Sequence, residues 1–300
     1  MTTAVRKHAS VRFPIISALW PVIGLPAAFA VLGAQGPRWV LMWALAFGTY
    51  AGLKWLSFVA CRPTRTANFR RSLAYLFLWP GMNAREFLDA ARKACRPRER
   101  EWIWAAVNVT FGLCLLRLGV PMIARSSPLA AGWVGIVAIG FLLHFGLLDL
   151  LSLGWRQAGI RAVAIMNAPY RSASLSEFWG RRWNLAFRDL AHQFVFCAFV
   201  GPWDVTVATL AVFLTSGLVH DLVISGAADG GYGGPTLYFL IQAAGLFLER
   251  SRFGKRIGLA RRWTGWIFCG LVTVGPVGLL FHRPFVERVV VPMLRAMGLI

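Results

Sequence analysis

A histidine at the end of an apolar run is the residue best suited to chemistry. His220 follows the run Phe213–Val219 and precedes Asp221. Ionisable side chains cost several kcal/mol among apolar residues unless they are paired or hydrated, so each is a candidate for function. A histidine exchanges a proton near neutral pH, as the general base of an acyl transfer must. Ser216 lies one helical turn earlier on the same face, and Gly217 lets another backbone or a ligand approach closely.

The alternative for His220 is a structural role. A histidine inside a membrane helix often donates a hydrogen bond to a neighbouring helix. The residue type and its setting leave both interpretations open.

A second polar residue, Asn184, ends the segment Phe178–Asn184, which is dense in tryptophan and arginine. Aromatic and basic residues interleaved at a membrane surface are normally anchors, which explains Trp179 but not Asn184. Ser174 and Glu177 have the spacing of a capping box, so a helix is predicted to begin between them.

Other ionisable residues also lie within apolar runs. They are Lys54, Arg117, His144 and Asp149. Hydrogen bonds between helices are the favoured explanation for His144 and Asp149. A transporter is an alternative, with Lys54, His144, Asp149 and His220 as its polar path.

The composition predicts a membrane protein. Of 300 residues, 57% are hydrophobic and 15% are charged, whereas a soluble domain has about 25% charged residues. The net charge of +20 would suggest nucleic-acid binding in a soluble protein. Here the basic residues lie mostly in short connections between apolar runs, which is the positive-inside pattern, so no nucleic-acid partner is expected. Five cysteines without metal-ligand spacing predict neither a disulfide framework nor a metal site.

The elements that must position these residues are transmembrane helices. The fold class is therefore predicted as all-α, a polytopic bundle of about eight spans within a single domain over residues 1–300. The predicted spans are Phe13–Leu32, Trp39–Cys61, Trp102–Ile123, Gly132–Trp155, Val205–Ser225, Pro235–Leu248 and Gly265–Phe281, with Phe285–Ile300 as a short last span or an interfacial helix.

The basic connections predict the orientation. They are Arg62–Arg100, Arg156–Arg188 and Arg250–Arg262, and all are expected in the cytoplasm together with the N terminus. An even number of crossings must then separate the second connection from the third. The segment Leu190–Trp203 should therefore enter the membrane without crossing it. Such segments survive only where they are buried in protein or line a cavity, so a cavity is predicted there.

The first connection holds two further predicted elements. Leu73–Trp79 is too short to span and predicts an interfacial or re-entrant piece. Asn83–Arg96 has apolar residues at helical spacing, which predicts an amphipathic helix on the cytoplasmic surface.

Two of these segments together resemble the wax synthase branch of the membrane-bound O-acyltransferases. They are Phe178-Trp179-Gly180-Arg181-Arg182-Trp183-Asn184 and Ser216-Gly217-Leu218-Val219-His220-Asp221. The similarity extends to Met166–Pro169, to the turn Gly230–Thr236 and to Leu76–Met82 upstream, and so covers a core of about residues 73–249. Many relatives in this branch have glutamate after the histidine, where this chain has Asp221.

The resemblance implies a site and a reaction. His220 would be the catalytic histidine and Asn184 its polar partner, with Ser216, Asp221 and Trp183 in support. The donor would be acyl-CoA, acting as co-substrate with no other cofactor, and the acceptor a lipid hydroxyl such as a fatty alcohol. Arg181, Arg182 and Arg188 are candidate contacts for the CoA phosphates, and attraction to lipid headgroups is the alternative for each.

Other functions stay open on the sequence alone. Besides the transporter, they are a catalytically silent membrane scaffold of the same fold, and an enzyme that acylates a glycan or a peptide. The basic bias, with no signal for an organelle, favours a bacterial inner membrane as the location.

Overall fold

A computed structural model describes residues 15–61, 68–91, 93–259 and 261–300. Phe13 and Pro14 of the first predicted span lie outside these ranges, as do residues 62–67 and Arg92 of the first basic connection. Every regular element in the described ranges is a helix, which confirms the all-α class. In chain order the helices are α1 (Ile15–Gly33), α2 (Arg38–Cys61), α3 (Phe69–Leu78), α4 (Ala84–Leu88), α5 (Glu99–Ala124), α6 (Pro128–Gln157), α7 (175–182), α8 (185–200), α9 (Val205–Ala228), α10 (Gly234–Arg250), α11 (Arg252–Arg256), α12 (Arg262–Leu280) and α13 (283–296).

Five of the described helices are long and apolar enough to cross a membrane. They are α2, α5, α6, α9 and α12, and they make the chain a polytopic integral membrane protein. The predicted span Pro235–Leu248 lies in α10, which has 17 residues and buries the polar side chains of Gln242 and Glu249. The number of about eight spans stays a prediction.

Small residues bring the first two helices together. A side chain at Gly52 of α2 would place its Cβ atom 2.5 Å from the carbonyl oxygen of Pro21 in α1. Close approach of backbones through glycine is the usual way in which membrane helices pack, because lipid provides little hydrophobic drive.

The C-terminal helix α13 lies in the core of the protein. Val286, Val289 and Leu294 are fully buried against α2, α5 and α6. This burial contradicts an interfacial helix at Phe285–Ile300, whereas the alternative of a short last span stays a prediction. Its apolar residues face other helices, a difference that a single sequence does not reveal.

Part of the region upstream of α5 packs into the protein. The helix predicted over Asn83–Arg96 is confined to α4, since Asn83 caps its start and the backbone is extended at Asp89. Phe87 and Leu88 are buried in a cluster with Tyr75 and Trp79. The amphipathic surface helix over Asn83–Arg96 is therefore wrong. The predicted piece Leu73–Trp79 forms the second half of α3 and the residue after it, with Tyr75 and Trp79 buried and Phe77 exposed. Its interfacial or re-entrant character stays a prediction.

Helix α8 follows Asn184 and covers most of the predicted re-entrant segment. Its second half packs against the first half of α9. A cavity opens between the two helices and is lined in part by Ala191, His192 and Phe196. The cavity predicted near Leu190–Trp203 is confirmed, whereas the path of this segment through a membrane stays a prediction.

Candidate active site

The cavity between α8 and α9 has a volume of about 400 Å³ and is also lined by residues of α7 and α10. Five of the predicted site residues line it: Trp183, Asn184, Arg188, Ser216 and His220. The other three, Arg181, Arg182 and Asp221, do not. The structure thus brings the two predicted catalytic residues into one mostly apolar chamber.

His220 has a defined tautomer. Its Nδ1 atom lies 2.7 Å from the carbonyl oxygen of Ser216. A carbonyl oxygen only accepts, so Nδ1 carries the hydrogen and the neutral ring keeps its lone pair on Nε2. The ring packs on Phe239, with centroids 4.7 Å apart. The contribution of Ser216 is its main-chain carbonyl, because its hydroxyl donates to the carbonyl of Val212.

Asn184 occupies an unusual backbone position. Its φ of 39° and ψ of 62° are left-handed, a conformation that asparagine adopts more readily than most residues. The side-chain Oδ1 caps α8 by accepting from the backbone N–H of Phe187 at 3.2 Å. Within the described part of the chain, the Nδ2 amide has no acceptor. The sharp turn therefore places Asn184 in the lining of the cavity with its Nδ2 donor unused.

Helix α7 is fixed by hydrogen bonds at its start. The Ser174 hydroxyl accepts from the backbone N–H of Glu177 at 3.0 Å, as predicted. The reciprocal bond differs, because Glu177 accepts from the N–H of Ala173 and not from that of Ser174. That N–H and the Arg182 guanidinium hold the pKa of Glu177 below its usual range, against the opposing effect of partial burial.

Glu249 of α10 was not anticipated from the sequence. Its buried carboxylate accepts from the backbone N–H of Leu175 and from both the N–H and the hydroxyl of Ser176. A carboxylate at a helix N terminus is stabilised by the unpaired N–H groups there. Glu249 thereby ties α10, one wall of the cavity, to α7, another.

The three arginines proposed for CoA phosphates differ in their surroundings. Arg182 pairs with Glu177 and donates to the carbonyls of Asn167 and Ala168, so its guanidinium is used to hold the loop. Arg181 is exposed and lies outside the cavity. Arg188 lines the cavity while donating to Asp189 and to the carbonyl of Gly180.

Asp221 faces away from the cavity and organises the glycine-rich turn. Its Oδ1 accepts from the Ser225 hydroxyl at 2.8 Å and from the N–H of Gly233 at 2.9 Å. Its Oδ2 accepts from the N–H of Thr236 at 3.0 Å and from the Thr236 hydroxyl. Close packing of α9 on α10 completes the junction, since a Cβ atom at Gly217 would lie 2.7 Å from the Cα of Thr236. The support predicted for Asp221 thus consists of holding the turn that follows His220.

His282, before α13, extends this network and was also missed by the sequence reasoning. Its Nδ1 accepts from the N–H of Phe285 at 3.2 Å, so Nε2 carries the hydrogen and lies 3.1 Å from the Ser225 hydroxyl. Burial lowers the pKa of His282, partly offset by Asp221. A directed chain of hydrogen bonds therefore runs from His282 through Ser225 to Asp221.

Trp179, interpreted as a surface anchor, and Trp183, predicted in support of the site, both line the chamber. Trp179 packs edge-on against Phe213 at 5.5 Å, and its indole Nε1 is buried without a hydrogen-bond partner among the described residues. Trp183 stacks on Phe178 at 5.3 Å. The anchor interpretation of Trp179 is wrong, because its neighbours are protein side chains.

The polar path of a transporter is not assembled in the described residues. Lys54 of α2 is buried against α3, where it donates to the carbonyl of Gly81 and lies 3.3 Å from the centroid of the Tyr75 ring. Asp149 lines a different cavity from His220. Lys54 and Asp149 thus serve other parts of the structure.

One segment of the chain matches a known protein family. Residues 163–241 match the model of the membrane bound O-acyl transferase family. The resemblance is confirmed. The matched segment contains Asn184 and His220, together with every other predicted site residue. The tryptophan-rich motif Phe178–Asn184 and the histidine-bearing motif Ser216–Asp221 were the sequence signals that located this segment.

Individual relatives agree with the branch. The chain is 40% identical over 138 residues to a probable long-chain-alcohol O-fatty-acyltransferase of Arabidopsis thaliana, covering 40% of this chain and 39% of the relative. It is 39% identical over 64 residues to the long-chain-alcohol O-fatty-acyltransferase of Simmondsia chinensis, covering 19% and 18%. An acyl-CoA–sterol O-acyltransferase of Arabidopsis thaliana is 34% identical over 64 residues, covering 19% of each. The chain therefore spans about two fifths of the length of the first of these relatives.

Proposed function

We propose that the protein is an intramembrane O-acyltransferase that moves a long-chain acyl group from acyl-CoA to a lipid hydroxyl, of the fatty-alcohol type. The observation that carries the proposal is that one mostly apolar cavity is lined by both His220, whose Nε2 has a free lone pair, and Asn184, whose amide N–H is unused. A base and an oxyanion donor are the two groups that acyl transfer to a hydroxyl requires.

The reaction follows from these two groups. Nε2 of His220 removes the hydroxyl proton as the oxygen attacks the thioester carbonyl. The Ser216 carbonyl stabilises the imidazolium through Nδ1–H, and Nδ2 of Asn184 donates to the developing oxyanion. The C–S bond then breaks, and the thiolate takes the proton from His220, giving an ester and free CoA. The apolar walls keep water from the thioester, which suppresses its hydrolysis.

The location follows the charge pattern. We further propose one transmembrane domain over residues 1–300 with its basic connections in the cytoplasm. The bacterial inner membrane and a cytoplasmic N terminus rest on that pattern alone, since the relatives are plant proteins.

The experiment is release of free CoA thiol by purified protein in detergent. It uses palmitoyl-CoA with a panel of fatty alcohols and a sterol, beside His220→Ala. Thiol release that requires both an alcohol and His220 is expected. A folded protein that releases no thiol with any acceptor would contradict the proposal.

A further inference from the structure

A second cavity, about twice the volume of the active-site cavity, lies on the other side of the motif segment. We call it the vestibule. It has a volume of about 820 Å³ and opens between α5, α6 and residues 164–171. No residue predicted for the reaction lines it, so its purpose is a separate question.

The vestibule is strongly basic. Five arginines line it: Arg96, Arg98, Arg100, Arg156 and Arg171. Arg156 is paired with Glu101 at 2.6 Å, whereas the other four form no ion pair within the described part of the chain. Guanidinium groups without carboxylate partners, held around one cavity, are suited to phosphate.

Aromatic rings stand beside these arginines. Trp104 and Tyr170 line the vestibule and are 50% and 64% exposed. The Arg171 guanidinium lies over the Tyr170 ring at 5.6 Å. Exposed aromatic faces next to arginines bind nucleotide bases by stacking, a feature that a site for a simple phosphate or a lipid headgroup does not need.

The wall between the vestibule and the active site is one pair of rings thick. Phe145 lines the vestibule and Trp183 lines the active-site cavity, and their rings meet edge-on at 6.4 Å. Met166 of the vestibule accepts the backbone N–H of Asn184 through its sulfur at 3.3 Å. A ligand that enters the vestibule therefore ends next to the catalytic pair.

The deep end of the vestibule offers an unused acceptor. Oδ1 of Asp149 is buried and has no hydrogen-bond partner among the described residues. An amide N–H of an extended ligand would satisfy it, since buried polar atoms are normally hydrogen-bonded. Phosphate at the arginines, a base at the aromatic rings and an amide at the floor together describe a phosphorylated nucleotide joined to an amide-containing arm.

We infer that the vestibule binds the nucleotide end of the CoA donor, which places the phosphates on Arg96, Arg98 and Arg100 and not on the motif arginines. This inference rests on the proposed function. It also explains how Arg182 can be wholly engaged in structural contacts without loss of donor binding.

The test compares two charge-matched triple variants in nanodiscs of phosphatidylcholine. One is R96Q/R98Q/R100Q. The control, R252Q/K255Q/R256Q, removes the same charge from α11, whose residues line neither cavity. Each is assayed with palmitoyl-CoA and with palmitoyl-pantetheine, which has the thioester and the amides but no phosphate or nucleotide.

The vestibule variant is expected to raise KM for palmitoyl-CoA about tenfold or more through lost charge-assisted hydrogen bonds. The kcat of this variant with palmitoyl-CoA and its kcat/KM for palmitoyl-pantetheine should match those of the wild type. All kinetic constants of the control variant should also match the wild type. Calorimetry with 3′-phospho-ADP should show binding that this variant loses.

Three outcomes would overturn the inference. One is an unchanged KM for palmitoyl-CoA, and another is an equal loss with both donors. The third is an effect that appears only when phosphatidylglycerol is added, which would assign the arginines to a lipid headgroup. Wild-type protein that turns over neither donor would contradict the proposed function instead, and 3′-phospho-ADP binding would still report on the vestibule.

Discussion

The two faces of α9 beyond Ser216 differ in how fully their polar groups are used. On the cavity side, Nε2 of His220 has no hydrogen-bond partner among the described residues, and neither has Nδ2 of Asn184, which lines the cavity from the start of α8. On the side of the glycine-rich turn, Asp221 accepts from Ser225, Gly233 and Thr236. The adjacent residues His220 and Asp221 thus differ in role. His220 has a ring nitrogen free to bind a ligand, whereas the hydrogen bonds of Asp221 stabilise the turn.

The strongest test of this contrast is removal of the base. His220→Ala should lower thiol release by about 10²–10⁴-fold, the usual contribution of general base catalysis. The matched control is His192→Ala, because His192 lines the same cavity but is exposed. Near wild-type turnover in the first variant would remove His220 from the mechanism.

The amide of Asn184 can be separated from its capping role. Asn184→Asp keeps an oxygen to accept from Phe187 and tolerates the left-handed turn, but it loses the N–H donor. Turnover should fall by about 10²–10³-fold, as for other oxyanion donors, with an unchanged melting temperature. Asn184→Ala should lose both rate and stability. Equal stability losses in the two variants would make Asn184 a structural residue.

The saturated face should respond in stability more than in rate. Asp221→Asn removes the charge that four donors share, and hydrogen bonds to charged groups contribute about 1.5–3 kcal/mol each. We expect a loss of roughly 2 kcal/mol in unfolding free energy and less than a tenfold change in the turnover of folded protein. A large fall in kcat at unchanged stability would place Asp221 with the reactive groups.

His282 should have a smaller effect through the same network. His282→Ala removes the donor to Ser225 and the cap of α13, at a cost of about 1–2 kcal/mol. Combined with Asp221→Asn, the losses should be less than additive because both residues act through Ser225. The free energies of unfolding of the wild type, the two single variants and the double variant, measured in one detergent, give the coupling. Strictly additive losses would show that the hydrogen bonds through Ser225 do not couple His282 to Asp221.

The smallest expected effect is the pH dependence contributed by Glu177. Its pKa is lowered in the folded protein, so its stabilisation is complete above the unfolded pKa and is lost as the pH falls through the folded value. Glu177→Gln should therefore be less stable than the wild type at pH 6, and the difference should shrink below about pH 4. Melting temperatures at the two pH values test this, and a constant difference would contradict it.

Local patterns were sufficient for much of the site. The paired motifs gave Asn184 and His220 directly, and the i, i+4 spacing placed Ser216 beside the histidine. The parity of the basic connections indicated a cavity in the segment that forms α8, and α8 does line one. Each of these inferences uses only residues that are neighbours in sequence or the summed charge of the connections between spans.

Features that depend on distant partners were not predictable in the same way. Glu249 meets Leu175 across 74 positions of the sequence, and His282 meets Ser225 across 57. The burial of α13 and of Phe87 follows from which helices surround them, and one sequence does not specify this. Trp179 was misjudged for the same reason, because an aromatic ring at a lipid surface and one in a packed core look identical in sequence.

The thin partition formed by Phe145 and Trp183 has a consequence for how the two products leave the protein. With the nucleotide in a basic, wet compartment and the reacting carbonyl in a dry one, the two products part at the step that forms them. Free CoA returns to water from the vestibule, and the ester enters the lipid phase from the active-site cavity. The protein would then act as a phase-transfer catalyst, with the solubility of its products drawing the reaction forward.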